Sequence, residues 1–147
     1  MKVSIKNIDD PGAEQVIIEC TEVTKEIEEI RAFALSRGKG ITGFSENQQA
    51  KRLSADDIYY FEAVDEKSFA YTKDSVYEIK QRLYELEEAF AGFYYIRCSK
   101  SVVINLMKLE GITPALNGRF TAKMKNGEKL IISRKYAPDI IARVMGK

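Results

Sequence analysis

The string Ser133-Arg134-Lys135-Tyr136 lies in the most basic stretch of this chain, preceded by two tight-turn pairs, Asn117-Gly118 and Asn126-Gly127. Residues 93–147 carry 11 Lys/Arg against 3 Asp/Glu, whereas residues 1–50 carry 6 against 9 and residues 51–92 carry 6 against 10. The formal net charge of +1 therefore conceals a strongly polar molecule. A concentrated basic surface is what a polyanion such as nucleic acid selects, with the acidic remainder turned away from phosphates or toward another partner. Lysines on strands also guard sheet edges against aggregation, and charge alone does not separate the two readings.

Other chemistries fall away on composition. The chain has no histidine, which removes Ser-His and Cys-His nucleophile pairs, an imidazole proton shuttle and His-ligated metals. Cys20 and Cys98 lie far apart, outside any C-x-x-C spacing, and read as reduced, mostly buried packing residues. Arg97 and Lys100 flank Cys98 and would lower its thiol pKa, a redox reading that ranks below packing. The segment Gly38-Lys39-Gly40-Ile41-Thr42-Gly43 spells G-x-G-x-x-G, but that motif holds pyrophosphate where a strand ends and a helix opens. Here a helix ends at it, so helix C-cap and loop glycines explain it better. No catalytic residue, cofactor or metal is expected, and the chain is not expected to be an enzyme.

The elements that must position the basic residues follow from periodicity. With 147 residues and 45% hydrophobic content the chain suits one domain. Its apolar runs are too short to span a membrane, and its polar N-terminus lacks a secretory pattern, so a cytosolic location is the expectation. Val16-Ile17-Ile18 reads as a strand; residues 24–36 read as a helix stopping at Gly38, with Glu26, Glu28 and Glu29 suiting its N-terminal dipole. Asp57 to Glu62 and Ser68 to Thr72 predict a hairpin across the acidic turn Asp65-Glu66. Ile79, Leu83, Leu86 and Phe90 recur at helical spacing, with Ser75 and Glu78 as a capping box, although a short strand through Val76-Tyr77 competes. The two Asn-Gly pairs each predict a two-residue type I′ turn, hence a three-stranded meander. In its middle strand Phe120, Ala122 and Met124 face the core while Arg119, Thr121, Lys123 and Lys125 form a basic stripe. Pro138 then suits the first turn of a C-terminal helix with Ile140, Ile141 and Val144 as its apolar face.

From about Leu53 to Arg143 these residues resemble a LytTR-type DNA-binding domain, the output module of many bacterial transcription regulators. The blocks that carry the resemblance are Asp57-Ile58-Tyr59-Tyr60-Phe61-Glu62; Leu83, Leu86 and Glu87; Cys98-Ser99-Lys100-Ser101-Val102-Val103-Ile104-Asn105-Leu106; residues 112–120; Asn126-Gly127-Glu128; and Ser133-Arg134-Lys135-Tyr136. The resemblance implies a mainly β fold with a few short helices (α+β), in which residues 51–147 form the DNA-binding domain and residues 1–50 a strand-helix extension for dimerisation or partner docking. It also implies sequence-specific binding of double-stranded DNA through loops between strands, by a homodimer on repeated half-sites. The base-reading candidates are Lys67 or Ser68 in the hairpin turn, Lys100 before Ser101, and Arg134, whose guanidinium suits a bidentate contact to guanine O6 and N7. Lys100 departs from the neutral amide of some relatives, which leaves a phosphate contact open there. Arg97, Lys108, Arg119, Lys123, Lys125 and Lys135 would hold the backbone, with Ser99 and Ser101 as further phosphate donors. For Ser101 and Asn105 a local turn or cap role is favoured. Phe61, Leu83, Leu86, Phe90, Val102, Ile104, Phe120 and Ile132 read as core.

Only about 50 residues precede this stretch, too few for the receiver domain that many such regulators carry. Stand-alone relatives of this size are often paired with a small membrane protein that holds them inactive, which implies input by sequestration. The alternative is an interaction module with only nonspecific attraction to DNA.

Overall fold

The computed structural model describes residues 1–36, 40–90 and 94–145. Among these residues the fold is mainly β, with ten strands and three α-helices. Helix α1 (Lys25–Ser36) opens with Glu26 and Glu28 in its first turn and buries Ile27 and Ala32. The hairpin β1 (Gly40–Phe44) and β2 (Ala50–Ser54) follows, then β3 (Tyr60–Val64), β4 (Lys67–Tyr71) and β5 (Val76–Ile79). After α2 (Leu83–Ala89) come β6 (Tyr95–Ser99) and β7 (Val102–Asn105), the meander β8 (Leu109–Pro114), β9 (Phe120–Met124) and β10 (Lys129–Ile132), and α3 (Ala137–Val144).

One sheet has seven strands in the order β2-β1-β5-β4-β3-β7-β6; the meander forms a second sheet, β10-β9-β8. β1 pairs with both β2 and β5, so the larger sheet continues across residue 50. Side chains alternate across a strand, and the central strands are buried on both faces. Phe61 and Val103 join Leu83, Leu86 and Phe90 in a core beneath α2. Tyr60, Val102 and Ile104 face the other way, into a core with Ala122, Met124 and Ile132 of the meander and Ala137 and Ile140 of α3. The meander is thus clamped onto the sheet, with its Phe120, Ala122 and Met124 face inward as the alternation predicts.

Several local expectations change. Val16-Ile17-Ile18 forms no strand, because among the described residues no strand pairs with it: Val16 is 73% and Ile17 68% exposed, with Ile18 half-buried. Ile79 ends β5 rather than joining the helix, and the cap pairs Arg82 with Glu85, the Arg82 N–H donating to Glu85 Oε1 at 3.0 Å. Strand pairing of Val76-Tyr77 with β4 prevails over the helical period there. Gly38 lies outside the described residues, but Gly40 and Gly43 belong to β1. A Cβ on Gly43 would stand 2.7 Å from Leu53 Cδ1 and from Tyr77 Cβ. Close packing, not phosphate, accounts for that glycine.

Asn117 and Gly118, with φ of 61° and 76°, form the expected type I′ turn. The second pair differs. Gly127 N–H donates to Met124 O at 2.9 Å and only Gly127 has positive φ (91°), the geometry of a type I turn with a glycine bulge. The bulge lets Asn126 Oδ1 accept from the Glu128 N–H at 3.1 Å and turns Glu128 toward the larger sheet. The β3–β4 turn places two successive residues in the left-handed region without a glycine: Asp65 and Glu66 adopt φ of 49° and 66°. A left-handed conformation costs a side-chain-bearing residue about 1–2 kcal/mol. Glu66→Gly is therefore expected to stabilise the fold by about 0.5–1 kcal/mol after the added flexibility of the unfolded chain is set against it. Thermal unfolding checks it, through a rise of roughly 2–4 °C.

Candidate nucleic-acid interface

Antiparallel pairing brings separate loops to one end of the molecule. Glu62 pairs with Val102, so the end of β3 and the start of β7 lie together, and Ala63 N–H donates to Ser101 O at 2.9 Å. The β3–β4 turn with Lys67 therefore neighbours the β6–β7 turn with Lys100. Ser133 N–H donates to Cys98 O at 2.9 Å, which fixes Ser133-Arg134-Lys135 beside the end of β6. The fourth member is the β8–β9 turn, whose Gly118 backbone lies against the Arg134 stem: a Cβ there would stand 2.9 Å from Arg134 Cδ. Lys67, Lys100, Arg119, Arg134 and Lys135 are exposed in or beside these loops. The cluster is cationic with an acidic notch at Asp65 and Glu66, and Lys67 Nζ stands 3.9 Å from the Glu78 carboxylate.

The other candidates do not share this placement. Ser68 is buried between Ala63 and Ile79, because alternation turns it inward when Lys67 turns outward. Arg97 is half-buried and already engaged: its Nε and Nη2 donate to Glu87 Oε1 at 2.9 and 2.5 Å, and its Nη1 donates to Lys100 O at 2.6 Å. It ties the Lys100 turn to α2 as a positioning residue. Ser99 Oγ accepts from Ser101 N–H at 3.3 Å within the same turn. Lys123 pairs with Glu110 at 3.6 Å along the meander. Lys108 and Lys125 stand at the opposite end, where Lys125 N–H donates to Lys108 O at 2.8 Å. A five-residue strand separates the two ends by roughly 16 Å. The basic third thus divides into a loop cluster and a distal group.

Sequence reasoning singled out Arg97 and Gly118 but not the contacts by which they shape the loops. Nothing in local pattern pairs Arg97 with Glu87, ten positions earlier, and nothing predicts Gly118 beneath Arg134. Asn105 does serve the local role expected of it: its Oδ1 accepts from Met107 N–H at 3.0 Å, while its Nδ2 donates to Ile58 O at 2.8 Å.

Two tyrosines join the sheets behind the loops. Tyr60 and Tyr71 stack with centroids 4.2 Å apart; Tyr60 Oη donates to Glu128 Oε2 at 2.6 Å and Tyr71 Oη to Glu62 Oε1 at 2.9 Å. Burial and the Glu62 carboxylate push the Tyr71 hydroxyl up to about 12, and burial with Glu128 raises Tyr60. Cys98 is wholly buried and burial pushes its thiol up to about 12 against the lowering effect of Arg97, so the expected packing role stands and the redox reading does not. Cys20, by contrast, is exposed rather than packed. These shifts set an alkaline limit. Below about pH 8 the thiol and phenols keep their protons in both states; from there to about pH 12 the unfolded thiol and phenols ionise ahead of the folded ones, so stability falls. Cys98 alone contributes a loss on the order of 1 kcal/mol per pH unit in that window. Urea unfolding at pH 8, 9.5 and 11 checks it, and Cys98→Ala should flatten the decline.

An antiparallel β scaffold offering a cationic cluster of loops defines a β-loop binding module. Residues 48–145 match the LytTr DNA-binding domain family, and the chain belongs to it. The chain is similar to an uncharacterized HTH-type transcriptional regulator of Staphylococcus aureus, 28% identical over 92 residues, covering 63% of this chain and 62% of that protein. It therefore spans less than two thirds of that relative's length. It is also similar to the transcriptional regulatory protein YpdB of Escherichia coli, 30% identical over 70 residues, 48% of this chain and 29% of that one. Among solved structures it is similar to a LytTr DNA-binding domain from Bacillus cereus, with a TM-score of 0.66 and 24% identity, over 75% of this chain and 100% of that chain. That likeness establishes the fold. Among the described residues no helix is long and apolar enough to cross a membrane.

Proposed function

We propose that this protein is a DNA-binding transcription regulator that reads duplex DNA through the loop end, as a homodimer on repeated half-sites. The observation that carries the reading is the convergence of Lys67, Lys100, Arg119, Arg134 and Lys135 at one end of a LytTr scaffold. Arg134 is the principal base reader, with Lys100 and Lys67 entering neighbouring positions. Arg119 and Lys135 hold phosphates and set the register. Residues 51–147 act as the DNA-binding module and residues 1–50 as its extension.

The test is fluorescence anisotropy on the duplex upstream of its own gene, across a salt series and with excess nonspecific competitor. The expected result is binding that survives competitor, with log K falling by roughly 0.9 per phosphate contact for each decade of salt. Binding that collapses under competitor would reduce the loop end to generic charge and favour an interaction module instead.

A further inference from the structure

The first 24 residues hold several exposed apolar side chains. Val3, Ile5, Val16, Ile17 and Val23 are 61–92% exposed, and no backbone hydrogen bond joins residues 15–23 to any strand among the described residues. Yet Val16-Ile17-Ile18 is a β-branched run, the composition of a strand that has a neighbour. Residues 14–22 include Glu14, Glu19 and Glu22 and no Lys or Arg. An opposite feature stands at the border of the larger sheet. β2 is its outermost strand, hydrogen-bonded on one side by β1, and carries Lys51 and Arg52 with no acidic residue. One acidic strand sequence lacks an edge, and one basic edge lacks a strand.

We propose that residues 14–22 add as an edge strand to β2 of a second copy of this chain, each copy giving an arm and receiving one. Main-chain hydrogen bonds would satisfy both unpaired rows, while Glu14, Glu19 and Glu22 meet Lys51 and Arg52. A reciprocal exchange closes on itself, as a two-fold dimer requires. The arrangement within one chain favours the partner's edge over its own. The arm leaves α1 at Lys25, whose Nζ donates to Val144 O at 3.4 Å beside α3. The sequence reaches β1 and β2 from the far end of the same helix, and twelve helical residues span about 18 Å. Within one chain the arm stays off its own edge strand: Val16 and Ile17 are exposed, and among the described residues no backbone hydrogen bond joins residues 15–23 to β2. The proposal deepens the homodimer of the nucleic-acid reading and needs no DNA, so its failure leaves the loop-end contacts to DNA standing, and only a monomer would also remove the dimer.

Sedimentation of the full chain across a dilution series, with disulfide trapping, tests it. The expected mass is twice 16.7 kDa, falling to that of one chain with Ile17→Pro, a substitution at an exposed position that removes a strand hydrogen bond without touching the core. Thermal unfolding of the dissociated variant should show a folded protein. For trapping, native Cys20 is oxidised against Ala50, Lys51, Arg52 and Ser54 replaced singly by Cys, a scan of β2 that leaves its buried Leu53 in place. A covalent dimer absent from oxidised wild type, where Cys20 has only its own copy to meet, is the expected product. A chain that stays monomeric at all concentrations overturns the proposal, as does an intramolecular disulfide, which would put the arm on its own edge. A dimer that ignores Ile17→Pro and gives no new cross-link also overturns it, by placing the interface elsewhere.

Discussion

Phe61→Ala is expected to destabilise the protein by about 3–5 kcal/mol, the range for emptying a buried aromatic site. Phe61 is fully buried in β3 and packs on Phe90 and Tyr95 with ring centroids 6.0 and 5.5 Å away. Those two rings lie 4.9 Å apart, so removing Phe61 leaves a cavity that a three-ring cluster cannot close by one side chain moving. A domain stability of roughly 5–15 kcal/mol makes this a large share of the whole. The loss also reaches the loop end, because β3 pairs with β4 and with β7 and so carries both turns that present Lys67 and Lys100. Urea unfolding measures it: the midpoint should fall with the slope unchanged. Tyr84→Ala, on the exposed face of α2, should stay within about 0.5 kcal/mol and serves as the comparison. A Phe61→Ala cost below about 1.5 kcal/mol would mean that this cluster is not the centre of the core.

Where short-range chemistry decides conformation, the sequence was legible. Asn117-Gly118 and the Asp65-Glu66 hairpin could be placed because the demands of a tight turn lie within four residues. The inward face of β9 could be read because alternation needs no knowledge of a partner. Failures came where the partner decides. Val16-Ile17-Ile18 has strand composition but no strand beside it in one chain. Ile79 fits a helical period, yet pairing with Ser68 holds it in β5. At Asn126-Gly127 a glycine bulge serves the Glu128 contact to Tyr60, a restraint 68 residues away.

The candidate site divides in the same manner. The family blocks singled out Lys100 and Arg134, and both stand exposed at the loop end. Residue type alone could not sort the remaining cations, since a lysine or arginine looks the same whether it faces solvent at the tip, pairs with Glu110 or grips Glu87. Sorting them required the registers that set Lys108 and Lys125 roughly one strand length from the loops. Ser68 failed for a different reason. A one-residue shift along a strand exchanges the solvent face for the core, and two adjacent candidates could not both face outward.

Arg134→Ala is expected to weaken specific DNA binding by about 1–3 kcal/mol, a loss of roughly five- to 150-fold, while leaving nonspecific affinity nearly unchanged. The loss should exceed that from charge alone, because a guanidinium offers paired donors in a fixed plane and an ammonium does not. Arg134→Lys therefore separates the two: it keeps the charge and should still lose most of the discrimination. Lys135→Ala should weaken binding evenly across sequences and reduce the salt slope by about one. Gly118 gives an independent check on positioning. At its φ of 76° a side chain is strained, and a methyl group there would push the Arg134 stem aside, so Gly118→Ala should impair reading with the Arg134 residue itself unchanged. Unfolding measured in parallel removes the stability cost of that turn from the comparison. Competition anisotropy on the operator and on scrambled duplex measures all four. Specific binding undiminished by Arg134→Ala would move base reading to Lys100 and Lys67, with Arg134 left as a phosphate contact.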